Sequence, residues 1–289
     1  MGFYLVQALN ALSFSALLLL MGLGLSLVLS LMNFVNLTHG SVVLLGAYIG
    51  IYWFASGLPW QLAFPAAFAA AAFAGFLLER FPFRQFYQRT HLMQVLLTYG
   101  LSVVFADLMR LGFGGQIMTP EIPEALRGVV FLFHMPFPIY RLFVIASALA
   151  LAFGLWFAVD RTVWGAVARA CMADRGFVET LGINTSRLFA VVLVISTGLG
   201  GLSGALGVGI LSAYPGLDEE MLILSLIVVV VGGLGTFRGT IASALLLGFT
   251  MTFAKIWVPE FADFVALAVM AALLVRLPSG LVPQKSRQV

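Results

Sequence analysis

The stretch DRTVWGAVARACMADRGFVETLGINTSR, residues 160–187, lies between two long apolar runs and differs from both in composition. It carries seven charged side chains in a chain of which only 9% is charged. They are Asp160, Arg161, Arg169, Asp174, Arg175, Glu179 and Arg187. Charged groups are costly to remove from water, whereas the apolar runs on either side are stable in the lipid bilayer. The stretch therefore predicts an aqueous loop that joins two membrane spans.

The whole chain has the composition of an integral membrane protein. Of its 289 residues, 62% are hydrophobic, and the mean hydropathy is +1.07. Since about 20 residues of helix span the hydrocarbon core, we predict an all-α, polytopic transmembrane helical bundle of about eight to ten membrane segments, some of them broken or half-helices. We predict one domain over 1–289. The apolar runs are 4–31, 40–56, 61–78, 92–111, 138–158, 188–211, 221–235, 240–256 and 262–277.

The basic residues are distributed unevenly over the segments that join these runs. Eleven of the fifteen lie in 79–91, 159–187, 232–239 and the C-terminal tail from Arg276 onward. Basic loops stay on the cytoplasmic side of a membrane, so these segments are predicted to face the cytoplasm. The predicted external segments are 111–137, 212–220 and 257–261. Membrane orientation thus explains the net charge of +3, and we predict no nucleic-acid partner.

Residues typical of catalytic and cofactor sites are sparse. The single cysteine, Cys171, excludes an internal disulfide and a cysteine-based metal cluster. The three histidines, His39, His91 and His134, fall in different segments. The run VGGLGTFRG, 231–239, lacks the spacing of a dinucleotide fingerprint, and no phosphate-binding loop is present. We predict no catalytic residue, no metal site and no cofactor bound by this chain.

Polar residues interrupt an apolar segment at NFVNLTHG, residues 33–40. Asn33, Asn36, Thr38 and His39 would be costly at bilayer depth unless they faced the bundle interior or a cavity. A helix that restarts near Gly40 would direct its positive end into that cavity and favour a carboxylate. The alternative is a cytosolic turn in which Asn and Thr cap helices. For His39 the alternative is a hydrogen-bonded structural histidine.

Six glycines lie in one apolar segment, which ends in a turn. They are Gly198, Gly200, Gly201, Gly204, Gly207 and Gly209. Small residues at helical spacing let a second helix approach closely, so we predict a packing face. The following turn, LSAYPG at 211–216, places Tyr214 near the outer mouth, where it either contacts substrate or anchors the membrane interface.

Within the loop 160–187, residues 165–181 are predicted to form a short helix that Gly182 ends. Its apolar side chains, Val167, Met172, Phe177, Val178 and Leu181, suit the groove of a partner protein. The alternative is a helix whose charged face is simply solvated.

Three stretches resemble a known family. They are GLGLSLVLSLMNFVNLTHGSVVLLGAY (22–48), GAVARACMADRGFVETLGINTSRL (165–188) and LSGALGVGILSAYPGLDEEMLILSLIVVVVGGLGTFRGTIASALLLG (202–248). Together they resemble the permease subunits of the branched-chain, or hydrophobic, amino-acid ABC importers. The resemblance is stronger to the first of the two paired permeases of that family.

The resemblance implies a membrane subunit of an ATP-driven importer in the bacterial inner membrane. The implied partners are a second homologous permease in a heterodimer, two cytosolic ATPase subunits that hold ATP and Mg, and a periplasmic substrate-binding protein. The chain itself would be a transport subunit and not an enzyme. Its cargo would be a branched-chain amino acid or a related small carboxylate or amide.

The resemblance also implies roles for individual residues. The substrate path would include Asn33, Asn36, Thr38, His39 and Tyr48, with Tyr214 added from its place near the outer mouth. The ATPase-coupling segment would include Arg169, Ala170, Gly182, Ile183 and Asn184. From the charge of the same loop, Asp174, Arg175 and Glu179 are also predicted to be ATPase-coupling residues. The Glu-Ala-Ala form found in many other importers is absent here.

A self-contained secondary carrier or channel for a small polar solute is the alternative function. Such carriers use ionisable groups inside the membrane. Asp107 is the one acid that the sequence places within a span, and Arg110 at i+3 predicts a local ion pair there. This scarcity of buried charge favours the importer subunit.

Overall fold

The computed structural model describes residues 2–87, 89–132 and 134–282, and the side chains of all of these except Met172, Ala173 and Arg175. The predicted cytoplasmic tail with Lys285 and Arg287 lies outside the described residues. The helices are α1 Gly2–Met32, α2 His39–Ala55, α3 Ala63–Arg80, α4 His91–Phe113, α5 Ile139–Arg161, α6 Val163–Ala173, α7 Arg175–Thr180, α8 Thr185–Gly207, α9 Leu217–Gly232, α10 Phe237–Trp257 and α11 Ala262–Arg276. The strands are β1 Val129–Leu132 and β2 Met135–Pro138.

The predicted polytopic helical fold is confirmed. Each of the nine apolar runs coincides with a helix of at least fifteen residues in the described part of the chain. Six spans are long and apolar enough to cross a membrane, namely α1, α3 with the 3-10 turn before it, α4, α5, α8 and α10. The other three, α2, α9 and α11, have 17, 16 and 15 residues. Their lengths are at or just below the lower end of what spans a membrane.

Helix α8 lies at the centre of the bundle and packs against α1, α2 and α3. Its glycines make this close packing possible. A Cβ atom on Gly204 would overlap the carbonyl oxygen of Val43 in α2, and one on Gly201 would overlap the Ala71 side chain in α3. The predicted packing face is therefore confirmed, but it has more than one side, because Gly207 faces Leu17 of α1.

The N-terminal half of α1 lies beside the first turn of α5 and the last turn of α10. Arg141 of α5 donates to the Asn10 side chain, and Lys255 of α10 lies 5.9 Å from the ring centroid of Phe14. The predicted orientation makes this the external end of the bundle. Helix α1 then runs unbroken to Met32, near the opposite end.

The external segment contains a β-hairpin that the sequence analysis did not predict. Strands β1 and β2 are antiparallel, with Val129 opposite Pro138 and Leu132 opposite Met135. A 3-10 turn at Glu124–Leu126 precedes the hairpin. The residues of β2 do not form a helix, because Pro136 and Pro138 lack the backbone N–H groups that a helix needs. A bridge from Met118 to Ala213 joins this segment to the chain between α8 and α9.

Candidate functional site

The candidate site begins at the break between α1 and α2, residues 33–38. Helix α1 ends at Met32 and α2 begins at His39. Asn33 ends α1 with a φ of +50°, a left-handed conformation that asparagine tolerates better than most residues. Its backbone N–H donates to the Leu29 carbonyl at 3.2 Å. Asn33 is exposed and therefore lies apart from the buried residues that follow it.

Asn36 and Thr38 form the turn that starts α2. The Asn36 Oδ1 atom accepts a hydrogen bond from the Thr38 backbone N–H at 3.1 Å and one from the Thr38 hydroxyl at 2.6 Å. Both residues are fully buried. Asn36 thus bonds Thr38 itself, the residue before α2, and the Thr38 side chain caps no backbone group of the helix, so the structure does not show the side-chain capping of the alternative.

The His39 ring is clamped between α1 and α8. One ring nitrogen, Nε2, lies 3.0 Å from the Met21 carbonyl oxygen and is placed to donate to it. Cβ atoms on Gly24 and Gly200 would lie 2.8 and 3.0 Å from the ring carbon Cε1. The ring therefore fills a slot that only glycine leaves open on both sides. This contact fits the structural alternative for His39.

Four buried polar atoms near α2 have no hydrogen-bond partner among the described protein atoms. They are Asn36 Nδ2, His39 Nδ1, Ser41 Oγ and Tyr48 Oη. A buried group left without a bond costs about 1–3 kcal/mol. The first turn of α2 also directs the positive end of its helix dipole toward the same region. The interior of the bundle beside the start of α2 is therefore polar.

Helix α9 also begins inside the bundle, against α2. A Cβ atom on Gly40 would overlap the backbone carbonyl of Asp218, so the first turns of the two helices touch. The Asp218 side chain is only 5% exposed. It lines a cavity of about 20 Å³ with Tyr48 and Arg110, and the Tyr48 ring is stacked on Phe113 with centroids 4.5 Å apart. A cavity of this size holds about one water molecule.

Tyr214 lies outside the lining of that cavity, although the next two residues of its turn line it. It is half-buried, and its hydroxyl donates to Glu220 Oε2 at 2.5 Å. Because the Glu220 carboxylate accepts this bond and burial disfavours the phenolate, the pKa of Tyr214 is raised to about 12. Tyr214 therefore stays a neutral donor held in place by an acid on α9.

Two residues of α4 that the sequence analysis did not identify hold the break in place. Gln94 and Thr98 are the buried residues of this largely exposed helix. Gln94 Oε1 accepts from the Val35 backbone N–H at 3.4 Å, and its Nε2 donates to the Phe86 and Arg89 carbonyls at 3.2 Å each. The Thr98 hydroxyl lies 3.3 Å from the Val35 carbonyl. Their i, i+4 spacing within an apolar run was the available signal.

The buried acids also differ from expectation. Asp107 forms the predicted local pair with Arg110, at 3.9 Å, and both side chains are more than 60% exposed. The buried acids are instead Asp218 and Glu79, which is 4% exposed and accepts from the Tyr87 hydroxyl at 3.5 Å. Asp107 does lie within the span α4, but it is not the one acid in the membrane helices, because Glu79 lies in α3 and Asp218 in α9.

Replacing Gln94 by Met should destabilise the interrupted segment. The substitution keeps the volume but leaves the Val35 N–H and two carbonyls without their partner, a loss of about 1–3 kcal/mol. We expect a lower thermal unfolding temperature for the detergent-purified Gln94→Met variant. Tyr99→Phe, which alters an exposed residue of the same helix, is the control. Equal unfolding temperatures for Gln94→Met and the wild type would contradict the bracing role.

The loop 160–187 forms two helices where one was predicted. Helix α6 ends at Ala173 and α7 begins at Arg175, because Asp174 is in an extended conformation and its Oδ1 accepts from the Phe177 N–H at 2.9 Å. An N-cap of this kind ends one helix and starts the next. Gly182 follows with a φ of +78°, which confirms the predicted end.

The proposed coupling residues are mostly exposed on this helix pair. Arg169 donates to the Val159 carbonyl and lies 3.7 Å from Asp160. Ala170, Asp174, Glu179, Gly182 and Asn184 are exposed, and Ile183 is half-buried. Glu179 accepts a hydrogen bond from the Thr185 hydroxyl, and Asn184 caps α8 by accepting from the Arg187 N–H at 3.0 Å. The Arg175 side chain lies outside the described residues.

The apolar side chains of this loop divide between two faces. Val178 is buried at 2% exposure and packs into the bundle, so its predicted place on a docking face was wrong. Phe177 and Leu181 are 61% and 62% exposed and are four residues apart, at the end of α7 and just beyond it. The Met172 side chain lies outside the described residues. A charged, partly apolar surface is thus presented at this end of the bundle.

A polytopic helical bundle in which short helices begin beside buried polar groups is typical of helical membrane transport proteins. A family model described as "Branched-chain amino acid transport system / permease component" matches residues 7–274, and the chain belongs to this family. The resemblance inferred from the sequence is confirmed. The chain is a multi-pass membrane protein and the permease component of an ABC transport system, so it is a transport subunit that works with partner subunits.

Curated relatives align over nearly the whole chain. The "High-affinity branched-chain amino acid transport system permease protein" BraD of Pseudomonas aeruginosa is 24% identical over 96% of this chain and 95% of its own length. LivH of Escherichia coli K12, which carries the same description, gives the same identity and coverage. A probable LivH of Methanocaldococcus jannaschii is 22% identical over 94% of this chain and 90% of its own length. No solved structure matches.

Proposed function

We propose that this chain forms half of the translocation path for a branched-chain or other hydrophobic amino acid, or a related small carboxylate or amide. The observation that carries the proposal is the break at 33–38, which places unpartnered polar atoms of Asn36 and His39 inside an otherwise apolar bundle. The positive end of α2 favours the carboxylate of the cargo, and the surrounding apolar side chains of the protein suit a hydrocarbon side chain on that cargo. The names of the aligned relatives support this class of cargo.

The proposal includes the partners of the complex. A second homologous permease would complete the path as a heterodimer, and a periplasmic binding protein would deliver the cargo at the external end. Two cytosolic ATPases would hold ATP and Mg and would contact the exposed surface of α6 and α7. The whole would lie in the bacterial inner membrane. The preference of ATP for the closed ATPase pair would then supply the driving free energy.

The second candidate is a self-contained carrier for a small polar solute. The observation in its favour is the burial of Glu79 and Asp218, since acids inside a bundle are typical of ion-coupled transport. Uptake into liposomes that hold this chain alone, without an ATPase or ATP, would establish the carrier. Uptake that needs the ATPases, and that valine, leucine or isoleucine inhibits, would establish the importer.

Replacing Phe177 by Ser should weaken the complex with the ATPases. Phe177 contributes an exposed aromatic ring to the proposed contact, and truncating such an anchor typically costs about 2 kcal/mol or more of binding. We expect at least about tenfold less ATPase to copurify with the variant from native membranes in mild detergent. Mass spectrometry of the purified material identifies the partners at the same time.

Phe81→Ser is the matched control, because Phe81 is also an exposed phenylalanine, in the loop that follows α3 at the same end of the bundle. Full recovery of the ATPase with Phe177→Ser would place the contact elsewhere. Recovery of no ATPase even with the wild-type chain would contradict the importer itself.

A further inference from the structure

A second polar pocket lies at the other end of the bundle, away from the break at 33–38. It has a volume of about 310 Å³ and is formed by α1, α5, α10 and Ile210. Six of its lining residues are polar or basic, namely Gln7, Asn10, Ser13, Arg141, Thr252 and Lys255. The family resemblance and the aligned relatives assign no role to this pocket.

The charge of the pocket is unbalanced. It is lined by the cations of Arg141 and Lys255 and by no acidic side chain. In the described part of the chain, neither cation has a carboxylate within 4.0 Å, because the ion pairs found there are Arg110 with Asp107 and Arg169 with Asp160. Arg141 is half-buried, which makes its lack of a counter-charge costly. The pocket therefore favours an anion.

The hydrogen-bond pattern leaves donors directed at the pocket. Arg141 donates to Asn10 Oδ1, and Asn10 Nδ2 donates to Gln7 Oε1 at 3.0 Å, so both amide oxygens are already occupied. The amide nitrogen of Gln7 and the remaining N–H groups of Arg141 are left as donors. Ser13 also lines the pocket, and its Oγ atom is buried and has no partner among the described atoms.

We propose that this pocket binds one phosphate group, either of a phospholipid headgroup or of free inorganic phosphate. Two cations match the charge of a phosphate, and donors on several side chains match its several oxygens. A zwitterionic amino acid fits less well, because the pocket offers no acid to bind the ammonium group. The apolar part of the wall, which includes Phe14 and Ile256, suits the acyl chains of a lipid at the outer membrane surface.

The test measures phosphate binding by the full chain and three variants. Lys255→Gln alters an exposed side chain and should fold normally. Arg141→Gln/Lys255→Gln removes both cations. Arg127→Gln, an external arginine whose Nε donates to the Ile122 carbonyl, is the control outside the pocket. Native mass spectrometry counts bound phosphatidylglycerol after mild-detergent purification, and thermal unfolding with inorganic phosphate, against chloride at equal ionic strength, detects the free ion.

Each cation should contribute a charge-assisted hydrogen bond, so we expect at least about tenfold weaker binding in Lys255→Gln and a larger loss in the double variant. Loss of bound phosphatidylglycerol would identify a lipid as the source, and loss of stabilisation by inorganic phosphate would identify the free ion. Binding that is the same in the wild type, Lys255→Gln and Arg127→Gln would overturn the proposal, whether or not the double variant folds. None of these readouts depends on the substrate path.

Discussion

Gly204→Val should prevent the bundle from assembling. The Cβ atom alone would overlap the carbonyl oxygen of Val43 in α2, and it would also crowd the Ala47 N–H. Overpacking against side chains typically costs 1–3 kcal/mol, and backbone atoms relax less, so we expect a loss of about 3 kcal/mol or more. Since α2 carries the polar start of the proposed path, transport should be lost with it. The measurement is the amount of folded protein in membranes, followed by thermal unfolding in detergent.

Gly154→Val is the matched control, because it makes the same change in the middle of another long helix. A Cβ atom on Gly154 of α5 would meet nothing within 4 Å. Exchange of a helical glycine for a residue with a side chain should therefore leave folding intact there. If both variants accumulate and unfold alike, the close approach of α8 to α2 is not what holds the bundle together.

The long-range architecture could be predicted to different degrees in different segments. The nine apolar runs located the helices because the bilayer demands long stretches of apolar residues. The hairpin at 129–138 escaped prediction because four-residue strands in an external segment give almost no periodic signal. The division of 165–181 into α6 and α7 depended on one side chain, Asp174, which turned back to cap the next helix.

The candidate site could be predicted by residue type but not by contact. Polar residues at bilayer depth identified Asn36 and His39, which are buried as expected. The partners of the break could not be predicted, because Gln94 meets Val35 across 59 positions of sequence. The sequence put Asp218 in a predicted external segment, because its contact is also distant in sequence. Only the fold shows that α9 begins against Gly40.

The contact between the first turns of α2 and α9 bears on how the proposed path would open. Each turn belongs to a short helix, so neither is fixed by a complete membrane span of its own. The positive ends of both helices lie near the unpartnered polar atoms, and Asp218 offsets part of that potential. A tilt of either helix would change the separation of these groups, which is what a gated path needs.

Arg169→Glu should abolish ATP-driven uptake while the ATPases remain bound. The Arg169 guanidinium ties α6 to the end of α5 through the Val159 carbonyl and Asp160, so it is placed to transmit motion between the two helices. A glutamate there would meet a carbonyl and a second carboxylate, and both contacts are repulsive. We expect uptake into proteoliposomes to fall at least about tenfold, with ATPase copurification within about twofold of wild type.

Two further variants separate this role of Arg169 from a general effect of charge. Arg187→Glu makes the same charge change on an exposed residue of the same loop. It should retain uptake, because in the described structure the ion pair between α6 and the end of α5 is formed by Arg169 and Asp160 and not by Arg187. The exchanged pair Asp160→Arg/Arg169→Glu should recover part of the lost uptake, since it restores attraction between the two positions. Wild-type uptake by Arg169→Glu would show that the contact of Arg169 with the end of α5 does not couple the ATPases to transport. Loss of the bound ATPase in Arg169→Glu would instead place Arg169 in the docking contact beside Phe177. The mechanical link from α6 to α5 would then have to be the tight packing of Gly165 against Val159.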